Sequence, residues 1–121
     1  MADPFVQNSV PAAIAAGQSL SAQVDLGGWT IVGIVIPAAW TTAGLSFQAS
    51  ADGGATWGEL LDETATAKSV GSVTGGAEVF IAVDPTKWRG VRSVKVRSGT
   101  SSAPVAQVSA VTLQLLTRFV F

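Results

Sequence analysis

Glu59, Asp62 and Glu63 are the nearest approach this chain makes to a catalytic constellation. Carboxylates this close in sequence could supply the acid and the base of a glycoside-cleaving pair. Little other chemistry is open. The sequence contains no His, no Cys and no Tyr, which excludes nucleophile–His triads, His- or Cys-based zinc sites and imidazole acid–base pairs. No Gly-rich stretch has the spacing of a phosphate loop or a dinucleotide turn. The three carboxylates lie on or beside the short strand WGELL (57–61), where a solvated face accounts for them. The reading is therefore a non-enzyme, with no cofactor and no metal.

A second cluster, SADGGATW (50–57), carries another candidate chemistry. Read as S-x-D-x-G-x-T-W, it matches the Asp box on sialidase propeller blades. Each part also has a local reason. Asp52-Gly53 is a strong hairpin signal, because the turn needs positive φ and Gly supplies it cheaply. The Asp52 side chain can accept hydrogen bonds from turn N–H groups, and Trp57 folds back as the apolar lid of the hairpin. The motif occurs once, whereas a propeller needs several blades, and the sialidase nucleophile is a Tyr. Ser50, Asp52, Gly53, Gly54 and Trp57 are accordingly expected to form a structural hairpin. A similar S-x-D-G-x-x-W hairpin occurs in discoidin-like jelly rolls, which fit this length better.

The elements that would position these residues are strands. Period-2 alternation marks 20–26, 44–51 and 91–97, and WTIVGIVI (29–36), apolar on both faces, predicts a central strand covered on both sides. Shorter strands are expected at 57–61, 68–73 and 78–83. A long one, continuous or broken in two, is expected over 105–121. Only PAAIAAG (11–17) has helix signals, with Pro at a first turn and Gly at a stop. About seven to nine strands, spaced roughly ten residues apart, predict an all-β sandwich or barrel, and with the hairpin likeness the reading is a single antiparallel, jelly-roll-like β-sandwich. It spans 1–121 as one domain, with an N-terminal arm over 1–17.

Composition limits the partners. The chain has 121 residues, 48% apolar and 12% charged, with net charge −1. That is enough to bury a core without disulfides, and too little charge for disorder or a field that gathers nucleic acid. The start, MADPFVQNSV, lacks the basic and apolar regions of a secretory leader. The longest apolar run is too short to span a bilayer, so no membrane role is expected. Five of the seven cations, Lys87, Arg89, Arg92, Lys95 and Arg97, fall within eleven residues. Four of the eight anions, Asp52, Glu59, Asp62 and Glu63, fall within twelve. Either each cluster is a solvated edge, or the two meet inside one fold, or the basic strand of one subunit meets the acidic hairpin of the next. A Lys/Arg-lined strand also protects a sheet edge from aggregation. The apolar ends, Phe5 on one side and Arg118, Phe119 and Phe121 on the other, complete the candidate interface. Either they join the core or they dock on a partner.

Five motifs carry a family resemblance: Ile36-Pro37 with Trp40, the hairpin at 50–54, Asp84-Pro85 with Trp88 and Gly90, VKVRSGT (94–100), and Gln107. Over about residues 19–115 the chain resembles small proteins encoded in tailed-phage genomes. The resemblance implies a virion component made in the bacterial host cytoplasm. Its expected role is to decorate or cement the capsid as a symmetric homo-oligomer bound to a major capsid or other virion protein. It brings no catalytic residues. Two alternatives stand beside it. One is a carbohydrate-binding or adhesion module stacking glycan on Trp40, Trp57 and Trp88. The other is a tail or connector component.

Overall fold

The structure, a computed structural model, describes residues 8–88 and 90–118. Phe5, Arg89, Phe119 and Phe121 lie outside them. Nine strands are present among the described residues: β1 (Asn8–Ile14), β2 (Val24–Asp25), β3 (Thr30–Ile36), β4 (Ala43–Ser50), β5 (Gly58–Glu59), β6 (Ser69–Val73), β7 (Val79–Ala82), β8 (Ser93–Ser98) and β9 (Val111–Arg118). One 3-10 turn, Pro85–Trp88, joins β7 to β8. The strands form two antiparallel sheets, ordered β1-β9-β3-β7 and β2-β8-β4-β5, with β6 also paired to β4. The pairings β1–β9, β2–β8, β3–β7 and β4–β6 nest inside one another. This is a long hairpin folded over on itself, the topology of a jelly roll.

The alternation expected from the sequence places the core. Leu45 and Phe47 of β4, Val94 and Val96 of β8, and Leu113 and Leu115 of β9 are all buried between the sheets. They meet Ile31, Ile34 and Ile36 of β3, and Ile14 of β1. Each such side chain contributes about 1.5–3 kcal/mol of burial. Trp88 closes one side, its ring edge-on to Phe47 with centroids 4.9 Å apart.

Four expectations need correction. Residues 8–14 of the expected arm form β1, which takes up the first four residues of PAAIAAG. Ala12 and Ile14 point inward while Pro11 and Ala13 point out, and β1 is an edge strand, where a residue lacking an N–H is tolerated. Residues 105–110 are not strand. Gln107, fully buried, holds them in a loop: its Oε1 accepts from Thr41 N at 2.7 Å, and its Nε2 donates to Ser98 Oγ at 2.8 Å and to Thr41 O at 3.2 Å. Of residues 20–26 only β2 is regular strand, since Ser21 turns inward to accept from Val96 N. The strand 29–36 is central, but only its Ile face is covered. A bulge between Ile31 and Gly33 shifts the register, and Val32 and Val35 are half-buried on the outer face.

Two substitutions probe this arrangement. Gln107→Leu strands the Thr41 N–H and the Ser98 hydroxyl, and should cost about 1–3 kcal/mol in urea unfolding. Thr117 faces the core with a buried Oγ1 that has no hydrogen-bond partner. Thr117→Val should therefore raise the urea midpoint, by about 1 kcal/mol of stability or more. A fall would show that the hydroxyl is satisfied.

Candidate functional site

The Asp-box hairpin is built as a closed set of hydrogen bonds. Asp52 Oδ1 accepts from Ser50 Oγ at 2.7 Å and Thr56 N at 2.9 Å, and Oδ2 accepts from Thr56 Oγ1 at 2.6 Å. Ser50 Oγ in turn accepts from Gly54 N, and Trp57 Nε1 donates to Gly54 O at 3.0 Å. Gly53 and Gly54 both have positive φ, the backbone conformation the turn demands. The Thr56 hydroxyl, its N–H and the Ser50 hydroxyl hold the Asp52 carboxyl far below the usual carboxylate range. Every polar group of the motif serves the turn. The Gln23 amide ties it to the neighbouring sheet edge through Gly53 O.

Among the described residues the two charge clusters meet at one ion pair, Arg97 with Glu59. Arg97 lies on β8, an interior strand flanked by β2 and β4, so the basic strand does not protect a sheet edge. Its guanidinium is buried and forks onto Glu59: Nη1 donates to Oε2 at 3.0 Å and Nη2 to Oε1. Nε donates to Ser46 Oγ at 2.9 Å. Arg97 therefore has no surface to offer a partner. The bond from Arg97 holds the Glu59 carboxyl below its ordinary value. Lys95, two residues back on the same face, sits 4.6 Å above the Trp57 ring centroid, a cation–π contact. Arg92 reaches Asp25 at 3.5 Å, with both side chains mostly exposed, a geometry that contributes little. Lys87 is exposed on the 3-10 turn and Arg118 half-buried at the end of β9.

The candidate carboxylates are also engaged. Asp62 Oδ1 accepts from the Thr64 hydroxyl, from Thr64 N and from Thr66 N, and these bonds depress its pKa, the Thr64 hydroxyl most. A general acid of a glycosidase needs its pKa raised. Glu59 and Asp62 move the other way, and Glu63 is exposed. Trp40 and Trp88 are buried, at 3% and 2% exposure, and offer no stacking face. Trp57 is half-buried beneath Lys95. Among the described residues no group of three His, Cys, Asp or Glu is placed to hold a metal. No helix among them is long and apolar enough to cross a membrane.

One surface was not legible in the sequence. On the outer face of β1-β9-β3-β7, registry aligns Pro11, Gln114, Val35 and Phe80 in one row, and Ser9, Leu116, Gly33 and Ala82 in the next. Neither row carries a charge. Phe80 is 59% exposed, and its ring lies over Gly33, where a Cβ would stand 2.8 Å from Cζ. EVFIAV signalled a strand, but the outward position of Phe80 follows only from the pairing with β3.

Comparison with known proteins finds no matching family model, no matching curated protein and no matching solved structure. The likeness to phage virion proteins therefore rests on the motifs alone.

The ion pair and the Asx turns set a pH dependence. Asp52, Glu59, Asp62 and Asp84 all have lowered folded pKa values. Their contribution is complete above the unfolded values near 4 and is lost as pH falls through the folded ones, because the unfolded chain then binds more protons. Thermal melts should hold steady from about pH 7 to 5 and drop below about pH 4. Glu59→Gln leaves the Arg97 guanidinium without its counter-charge, and should cost about 2–3 kcal/mol at neutral pH. The gap to the parent protein should close as acid protonates Glu59. A gap that stays constant down to about pH 2 would mean that the ion pair does not set the acid limb.

Proposed function

We propose that this chain is a non-enzymatic structural protein of a tailed-phage particle. It decorates or cements the head shell through contacts with copies of itself and with a shell protein. The observation that carries the reading is the motif set shared with small virion proteins, spread over about residues 19–115. In the fold these motifs fall on joints. Pro37 ends β3, and the nearby Trp40 donates its Nε1 to Ala43 O at the head of β4. The Asp-box hairpin links β4 to β5. Asp84-Pro85 opens the turn that buries Trp88. VKVRSGT supplies β8 with Arg97, and Gln107 bolts the last loop. Such residues specify a scaffold rather than a reaction.

Two surface properties support an interaction role. The outer face of β1-β9-β3-β7 presents charge-free rows with an exposed Phe80, a surface that loses little by desolvation. The burial of Trp40 and Trp88 favours this reading over glycan stacking. A protein that binds only the assembled shell stabilises it by mass action, without chemistry.

The test is a density gradient of lysate from the native source, probed for this protein. It should travel with a particle of megadalton size and leave only under denaturing or low-salt stress. Imaging of that fraction then separates head from tail or connector. A small species at the top of the gradient overturns the reading. Quenching of the Trp57 fluorescence by added glycans would then be the measurement that supports the adhesion alternative.

A further inference from the structure

Of the five aspartates in the sequence, Asp52 alone is followed by glycine. At such a step a protein backbone rearranges readily, because glycine has no Cβ to shield its nitrogen. In the rearrangement Gly53 N attacks Asp52 Cγ. The N–Cγ bond forms, the amide proton and a carboxyl OH leave as one water, and a cyclic imide results. Water then opens the ring. Attack at the side-chain carbonyl restores aspartate. Attack at the main-chain carbonyl leaves the chain running through Cβ and Cγ, an isoaspartyl link with one extra methylene in the backbone. The water lost is regained, and no oxidant or cofactor takes part.

We propose that Asp52–Gly53 is a latent isomerisation site, and that the hydrogen bonds of the Asp-box hairpin keep it closed. The carboxyl is held at both oxygens: Ser50 Oγ and Thr56 N donate to Oδ1, and Thr56 Oγ1 donates to Oδ2. These bonds must be given up before Cγ can reach Gly53 N and release an oxygen. They also keep the carboxyl ionised, and a carboxylate must gain a proton before its oxygen can leave as water. The attacking nitrogen is restrained as well. The backbone beyond it is pinned at Gly53 O by the Gln23 amide and at Gly54 O by Trp57 Nε1. Burial plays no part. Asp52 and Gly53 are exposed, and a Cβ at Gly53 would meet nothing within 4 Å. The guard is the set of hydrogen bonds itself.

The other aspartates lack the partner for this reaction. Asp25 and Asp62 precede Leu26 and Glu63, whose side chains crowd the nitrogen, and Asp3 and Asp84 precede prolines, which have no N–H. The consequence of rearrangement at Asp52 reaches past the turn. The added methylene moves the carboxyl off Thr56, and the hairpin leads directly into β5, where Glu59 meets Arg97. A rearranged copy therefore loses the turn that delivers Glu59 to its partner. The inference goes beyond the particle reading and holds whether or not the chain belongs to a virion.

The full chain and a synthetic peptide of residues 48–57 should be aged side by side in warm, neutral buffer. Chymotrypsin, cutting after Phe47 and Trp57, then releases the same segment from the chain, and chromatography against an isoaspartyl standard measures the rearranged fraction. It should accumulate at least about tenfold more slowly in the folded chain than in the peptide, and at the peptide's rate when urea unfolds the chain. Thr56→Val keeps the side chain's shape but removes the donor to Oδ2, and should speed the folded chain about tenfold. Ser50→Ala should also speed it. Thr64→Val takes the same kind of bond from Asp62 and should leave the Asp52 rate unchanged. Tryptophan fluorescence reports whether each variant is folded, and the comparison of parent chain with peptide stands whatever their stability. Equal rates in the folded chain and the peptide would overturn the proposal. So would folded Thr56→Val and Ser50→Ala chains that age as slowly as the parent, since the guard would then not be these hydrogen bonds.

Discussion

A buried guanidinium must find its counter-charge within the same molecule, and Arg97 sets much of this structure. β8 lies between β2 and β4, and the Arg97 side chain is almost wholly covered there. Glu59 answers from β5, a strand of two residues that pairs with Gln48 and Ala49 of β4, with one further bond from Leu60 N to Phe47 O. Two ladder positions are too few to hold a strand by themselves. The forked ion pair, with Ser46 accepting from Nε, supplies the remainder. The Asp-box hairpin precedes Glu59 and the 61–69 segment follows it, so both hang from that fastening.

This explains why the sequence conveyed the sheets better than their dressing. Alternation in β4, β8 and β9 was plain because the apolar residues face a single core, and that periodicity is local. A sandwich or barrel followed from strand number and spacing, while the order of the strands came only with their pairing. What failed was non-local. PAAIAAG carries helix punctuation, yet its Ala and Ile positions are claimed by β9, more than ninety residues away. Gln107 stood out only as a motif position, and its burial depends on Thr41 and Ser98 meeting it from elsewhere in the chain. The cation cluster looked like surface because five charges in eleven residues usually are. One of them is the most buried cation described, and no pattern within the strand distinguishes Arg97 from Lys95.

The candidate site followed the same division. The Asp-box reading as a self-contained turn was fully legible, since its partners are within a few residues of one another. Glu59, Asp62 and Glu63 were legible as a cluster but not as separate fates. Glu59 is taken by a strand that passes thirty-eight residues later in sequence, and Asp62 by its own turn. The tryptophans divide likewise. Trp40 and Trp88 are core because the corners they occupy fold inward, while Trp57 stays at the surface under Lys95.

A protein with so little charge, much of it satisfied internally, is left with few ways to recognise anything. Long-range steering is weak at a net charge of −1. Recognition then depends on short-range features: shape, backbone groups that still seek partners, and apolar side chains that gain by leaving water. Two described places supply these, the two charge-free rows of the outer face around Phe80 and the open edge of β7. They adjoin, because Phe80 sits on β7, whose side chain faces the first and whose backbone faces the second. A contact on the sheet face would therefore be felt at the edge. Any partner that orders β7 through one surface would pre-organise the other, since the conformational cost of fixing that four-residue strand would be met only once.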